Sequence, residues 1–329
     1  MPPLHRLAST GVVALASCNA IAGFGDLEKV TSAPEVAALD AGASPRDASG
    51  AETSSPDATG GAACDPTRPF GPPKALEGPV NSAGMEGSPT LTDDELVIVF
   101  DRTVNVFSRS IVTATRASRA EPFGAPSPMP ELTQGLGVEV IGAPTMTGDG
   151  LALFYFGEVG GDDADIFTAS RSVVTARFGD ARKVSRVNTT QVEVFPSVMS
   201  NGAELWFTSE RLGGITRHLF RSVRDSIGLY QEAALVTELK SENNEAGVAF
   251  SADGLTVFFG SDRPSGLGQS DVWTARRPAL QAAFGQATPV AELNSASEDR
   301  PAWLSPDGCR LYLTSDRAGS NDIYVATRP

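Results

Sequence analysis

The sequence predicts an all-β fold assembled from five copies of one unit, and three recurring features predict it. The first is an aromatic residue followed by a short polar step: Phe70-Gly71, Phe123-Gly124, Phe178-Gly179, Tyr230-Gln231 and Phe284-Gly285, at intervals of 52 to 55 residues. The second is a turn followed by an apolar run: TDDELVIVF at 92–100, TGDGLALFY at 147–155, SNGAELWF at 200–207, SADGLTVFF at 251–259 and SPDGCRLYL at 305–313. The third places a polar residue before an aliphatic and an aromatic one: Asn105-Val106-Phe107, Asp165-Ile166-Phe167, His218-Leu219-Phe220, Asp271-Val272-Trp273 and Asp322-Ile323-Tyr324. Three anchors that keep step over five copies define a repeat architecture.

Each copy reads as four short strands. Asp and Gly in Ser-Pro-Asp-Gly and its variants form the turn between the first two, because Asp hydrogen-bonds its own turn and Gly accepts a positive φ. The segments between turns are β-rich and alternate, with no sustained helical period. Four strands at a period of fifty-odd residues make a propeller blade. The expected architecture is therefore a five-bladed β-propeller of four-stranded antiparallel blades over residues 65–329. The fifth copy stops after Tyr324, without the final strand into which the other copies continue. The segment from Phe70 to Ser82 is that strand with no blade before it, so the N-terminal strand is expected to complete the C-terminal blade. Closing the ring in this way removes an exposed sheet edge. The aromatics Phe107, Phe167, Phe220, Trp273 and Tyr324 are expected to be core between blades.

Upstream of the repeats, residues 1–17 have the form of a signal peptide. His5 and Arg6 precede an apolar run too short to span a bilayer. Leu15-Ala16-Ser17-Cys18 then resembles a bacterial lipobox, which implies lipidation of Cys18; an ordinary secretory cut after Ala14-Leu15-Ala16 is the alternative. Residues 18–64, rich in Ala, Gly, Ser, Pro and Asp, cannot bury enough apolar surface to offset ordering and are expected to be a disordered, lipid-anchored linker. Asn19 is not the Asp that retains lipoproteins at the inner membrane, so the resemblance implies an outer-membrane lipoprotein facing the periplasm or the cell surface.

Within the repeats, Pro301-Ala302-Trp303-Leu304-Ser305-Pro306-Asp307-Gly308, Leu311-Tyr312-Leu313, Ser315-Asp316-Arg317 and Asp322-Ile323-Tyr324 resemble the TolB-type propeller repeat, a WD-repeat-like family of bacterial envelope proteins. The resemblance implies an envelope-associated binding or scaffold protein whose partner is an envelope protein or a cell-wall component. A carbohydrate-binding lectin or glycoside hydrolase is the alternative, since some five-bladed propellers are glycosidases.

The formal net charge of −14 and a pI near 4.6 argue against nucleic acid, which takes most of its protein affinity from basic patches. The membrane is reached only through the lipid anchor, and a monomer is expected. Five acids recur in register, Glu86, Glu139, Glu193, Glu245 and Glu298, each just before the innermost strand of its blade. They form either a ring that attracts a cation or basic ligand, or a set of ion pairs with Arg102, Arg211, Arg263 and Arg317 that leaves Glu139 without an arginine. Catalytic carboxylates belong at unique positions, so the chain is expected not to be an enzyme. His218 stands in a repeat slot and reads as structural. No cofactor or metal is expected, because Cys18, Cys64 and Cys309 lack metal-ligand spacing. With Cys18 lipidated, Cys64 and Cys309 are the remaining thiols of an exported chain, and ring closure puts them in one blade. A disulfide is expected there, with two free thiols as the alternative.

Overall fold

The computed structural model describes residues 64–105, 108–160 and 164–329. The signal segment, most of the linker, Cys18 and Phe107 lie outside them. Strand β1 is Lys74–Ala75. Blade one holds β2 Met85–Leu91, β3 Val97–Asn105, β4 Ser108–Thr115 and β5 Ser127–Pro128. Blade two holds β6 Val138–Met146, β7 Ala152–Val159, β8 Asp165–Ser170 and β9 Gly179–Lys183. Blade three holds β10 Glu193–Val198, β11 Glu204–Ser209, β12 His218–Val223 and β13 Ala234–Leu235. Blade four holds β14 Glu245–Phe250, β15 Thr256–Ser261, β16 Asp271–Arg276 and β17 Thr288–Pro289. Blade five holds β18 Asp299–Leu304, β19 Arg310–Ser315 and β20 Asp322–Thr327, and β1 is its fourth strand. Every pairing within these sheets is antiparallel.

The closing strand behaves like its internal counterparts. Lys74 pairs with Val325 and Ala75 with Tyr324, as Pro289 and Thr288 pair with Trp273 and Thr274. Just beyond, Asn81 accepts from Ile323 N–H (2.8 Å) and donates to its carbonyl (3.0 Å). Asn188 makes the same two bonds to Ile166, and Asn294 to Val272. Chain separation is irrelevant to this geometry; blade position decides it.

The turns form as their sequence demands. Ser305 donates to Asp307, whose carboxylate accepts from Cys309 N–H (3.0 Å), and Gly308 takes φ 72°. Gly150, Gly202 and Gly254 hold the same conformation at φ 66–70°, but in blade one the position is Glu95 at φ 61°. Side chains on these strands bury between neighbouring blades; one cluster joins Phe154, Phe156 and Ile166 of blade two to Leu205, Phe207 and Phe220 of blade three. Burying each large apolar side chain stabilises the ring by roughly 2–3 kcal/mol.

One anchor is corrected. In blade one the residues in register with Asp271-Val272-Trp273 are Ser110-Ile111-Val112, since Val112 faces the fourth strand at Pro128 as Trp273 faces Pro289. The longer β3–β4 hairpin displaces this position from Asn105-Val106-Phe107, so blade one carries no aromatic there. A second fivefold feature escaped sequence reading. Arg116, Arg171, Arg224, Arg277 and Arg328 lie over the rings of Phe123, Phe178, Tyr230, Phe284 and Phe70, which precede the fourth strand of each blade, at 4.0–6.0 Å. Its signal was an arginine six or seven residues before each internal aromatic.

Candidate functional site

The innermost strands β2, β6, β10, β14 and β18 all start on one face, termed upper here, and run toward the lower face that carries the Asp-Gly turns. Glu86, Glu193, Glu245 and Asp299 stand near or at their beginnings, and all four are buried, at most 1% exposed. Arg102 Nε reaches Glu86 (2.8 Å), Arg211 Nη2 reaches Glu193 (3.0 Å), Arg263 Nη2 reaches Glu245 (3.0 Å), and Arg317 bonds Asp299. Each acid also accepts the backbone N–H four residues earlier, from Ser82, Thr189, Ser241 or Ser295. Each arginine spends another N–H on a carbonyl of the preceding loop: Val80, Val187, Leu239 or Leu293. These are clasps that tie the second strand (Arg102) or the loop just after it (Arg211, Arg263 and Arg317) to the start of the first. Every carboxylate is matched by one guanidinium, so the set offers no unneutralised ring to a cation.

Two of the five glutamates are outside it. In blade five the clasp acid is Asp299, opposite Ser315, as Glu245 is opposite Ser261; Glu298 sits one residue before and pairs with Arg300 (2.8 Å). In blade two the position belongs to Ile141, opposite Gly157, and Glu139 is exposed two residues earlier. The spacing of glutamates by residue type matched to within a residue or two, but side-chain direction reverses with every residue of a strand. His218 is buried, with Nδ1 2.8 Å from Glu245 Oε2, so that acid is held by two blades. Cys64 and Cys309 are joined as a disulfide with Cα atoms 6.1 Å apart, on the lower face.

What the upper face opens to solvent lies closer to the axis. One cleft of about 400 Å³ is lined by Phe195, Arg217, Asn244, Asp262, Glu298 and Arg300, among others. A second, of about 380 Å³, includes Glu86, Asp101, Arg109, Val140, Thr314 and Arg300. Below them the axis narrows to about 20 Å³ between all five innermost strands, so the clefts are blind. Arg300 lines all three spaces. Sequence reading missed it, although a signal existed. The residue following the clasp position is Gly87, Gly142, Val194 and Ala246 in the other blades, and an arginine there breaks the repeat.

The innermost strands are also bulged, with a register shift in each. Ser88, Ala143, Phe195 and Gly247, at the bulges of the first four, take φ between 46° and 59°. A bulky residue in this region is strained. In Phe195 the outcome is a ring turned to the axis, with the Arg300 guanidinium 4.6 Å from its centroid.

No family model and no curated protein sequence matches the chain. Solved structures share its fold. The endo-arabinase of Bacteroides thetaiotaomicron aligns with TM-score 0.56 at 12% identity, over 78% of this chain and 98% of the other. The α-L-arabinofuranosidase of Podospora anserina aligns with TM-score 0.51 at 12% identity, over 81% and 98%. TolB of Acinetobacter baumannii aligns less closely, with TM-score 0.47 at 17% identity; the match covers 75% of this chain and only 55% of TolB. At these identities the likeness is one of fold. It nevertheless corrects the expectation of no enzymatic activity: structures of this architecture, a family-43 glycoside hydrolase among them, are glycosidases. A repeated, buried acid set gives no ground for excluding catalysis from the upper face.

Proposed function

We propose that the chain is an exported, lipid-tethered propeller whose upper face binds a glycan of the cell envelope. The observation that carries this reading is the pair of adjoining blind clefts that share Arg300. Sugars present hydroxyls that donate and accept together, and the larger cleft supplies both kinds of partner: Arg217, Asn244 and Gln269 as donors, Asp262 and Glu298 as acceptors. Phe195 and Ile215 add apolar edges for the ring's C–H faces. Mostly preformed concave sites with a few convergent polar groups are typical of small-ligand recognition.

Tethering through Cys18 suits this geometry. Cys64 is bonded to Cys309 beside the turn on the lower face, the face opposite the clefts. A flexible chain of about 45 residues has an r.m.s. span of roughly 35–40 Å. Among the described residues no helix is long and apolar enough to cross a membrane, so attachment in this reading rests on the lipid alone. Labelled palmitate should enter the wild type and not Cys18→Ala; equal labelling of both refutes the anchor.

The glycan reading is tested by titration calorimetry of the mature chain against envelope-derived and plant-derived oligosaccharides. Saturable binding that Asp262→Ala weakens supports it, and silence across the panel overturns it. The same mixtures scored for new reducing ends reveal turnover.

A further inference from the structure

We propose that the clefts select acidic sugars, with Arg300 and Arg109 as the pair that receives a uronate carboxylate; this rests on the glycan reading above and names its ligand class. Both guanidiniums line the same 380 Å³ cleft, and both are laid into built slots. The stem of Arg300 starts in blade five and crosses the first two strands of blade four. There Gly247 and Gly260 leave its path open: a Cβ at 247 would meet Arg300 Cγ at 2.7 Å, and one at 260 would meet it at 3.3 Å. The guanidinium then lands on Phe195 of blade three, the ring held at positive φ. Arg109, from blade one, lies over blade two in the same manner. A Cβ at Gly142 would stand 2.7 Å from its Nε and 2.9 Å from its Cζ, and the Phe156 ring lies 5.3 Å away.

The guanidiniums of this cleft leave donors to spare, while Asn321 Oδ1, which also lines it, is an acceptor without a partner among the described residues. Asp101 accepts from Arg109 through one oxygen (2.8 and 3.1 Å) and from Ala143 N–H through the other (2.9 Å). Glu86 is taken by Ser82 and Arg102. The cleft's carboxylates are therefore engaged. Among the described residues Arg300 has one side-chain partner, Glu298 at 2.8 Å, and Arg109 has only Asp101. A guanidinium carries five N–H donors in a planar fork, so several have no partner among the described residues. Arg300 is mostly covered, its side chain 15% exposed, and a covered cation with unspent donors is matched by a planar anion taken bidentately. The chain's net charge of −14 opposes anions at long range, which makes this local surplus of donors the more informative feature. The sign of the expected ligand is reversed from that of a cation drawn to open glutamates.

The test uses the mature protein with three probes of equal length: an oligouronate, its carboxyl-reduced neutral counterpart, and a sulfated neutral oligosaccharide. The wild type should bind the uronate at least about tenfold more tightly than the reduced form, the worth of one charge-assisted pair. Arg300→Gln and Arg109→Gln should each bring the ratio of uronate to reduced-form affinity, measured within the same variant, down toward one, with circular dichroism showing the fold intact. Arg300→Lys keeps the charge without the fork and should retain only part of the preference; it also serves as the second variant if Arg300→Gln does not fold. Equal wild-type affinity for uronate and reduced form refutes the inference and leaves the glycan reading standing. A sulfated probe that matches the uronate refutes carboxylate selection. Failure to bind any probe, or any neutral glycan, removes the glycan reading itself.

Discussion

Glu95 provides a test of how the ring is closed. It occupies the turn between β2 and β3, is fully buried, and is the one non-glycine at a position where the other blades have glycine at positive φ. Its carboxylate joins the closing blade to the first. Arg310 of β19 approaches to 2.7 Å, Tyr312 donates its hydroxyl at 3.2 Å, and Arg116, just after β4 of blade one, reaches it at 3.3 Å. Truncation to Ala strands Arg116, whose side chain is 7% exposed, and the buried Tyr312 hydroxyl. Removing one partner of a buried pair costs about 3–5 kcal/mol. Arg310 is 26% exposed and can rehydrate, which points to the lower end, about 3 kcal/mol. Glu95→Gly loses the same contacts but relieves the left-handed backbone, worth about 1–2 kcal/mol. The expected order is therefore wild type, then Gly, then Ala. Urea unfolding followed by circular dichroism, with the disulfide intact, measures all three; 3 kcal/mol corresponds to roughly 6–12 °C in Tm for a domain of this size. An Ala variant within 1 kcal/mol of wild type refutes the seam, and an Ala variant as stable as Gly refutes the backbone argument.

The clasps give an internal contrast: Glu245→Gln and Asp299→Asn should each destabilise by about 3 kcal/mol because a fully buried carboxylate is neutralised and its mostly covered arginine loses its charge partner, whereas exposed Glu139→Gln should stay within about 0.5 kcal/mol. Denaturant midpoints decide, and a strong effect at Glu139 contradicts the register that places Ile141 in its stead. Burial pushes the Tyr230 hydroxyl up to about 12, and burial with the neighbouring Glu95 charge pushes Tyr312 up to about 12. Because these folded values lie above the ordinary tyrosine value of 10.0, the stability they contribute is complete below pH 10 and lost as pH rises through about 12. Tyrosinate absorbance should accordingly appear late and together with unfolding; early, reversible ionisation of all four tyrosines contradicts their burial.

Much of the fold was legible because a repeat samples the same physics five times. Turn chemistry at Ser-Pro-Asp-Gly is local, so the hairpins could be placed from residue type alone. The closing strand was legible by subtraction, since copy five lacked what Phe70 to Ser82 supplied, and Asn81 bonds Ile323 as Asn294 bonds Val272. Blade one misled where its hairpin lengthens, because an insertion shifts an anchor without changing its residue type.

The site was legible only in outline. The sequence by itself determined the number of blades, the ring closure and the existence of acids near the start of the innermost strands. Only the tertiary structure decided which of those acids are buried clasps. Whether a strand residue faces a neighbouring blade, the axis or solvent turns on a one-residue register, and bulges reset that register in every innermost strand. Arg300 shows the same limit. Its oddity in the repeat was readable, but its meaning depends on Gly247 and Gly260 in one blade and Phe195 in another. Positions far apart in the chain converge at the axis because the ring is closed, and a linear pattern carries no distance across a ring.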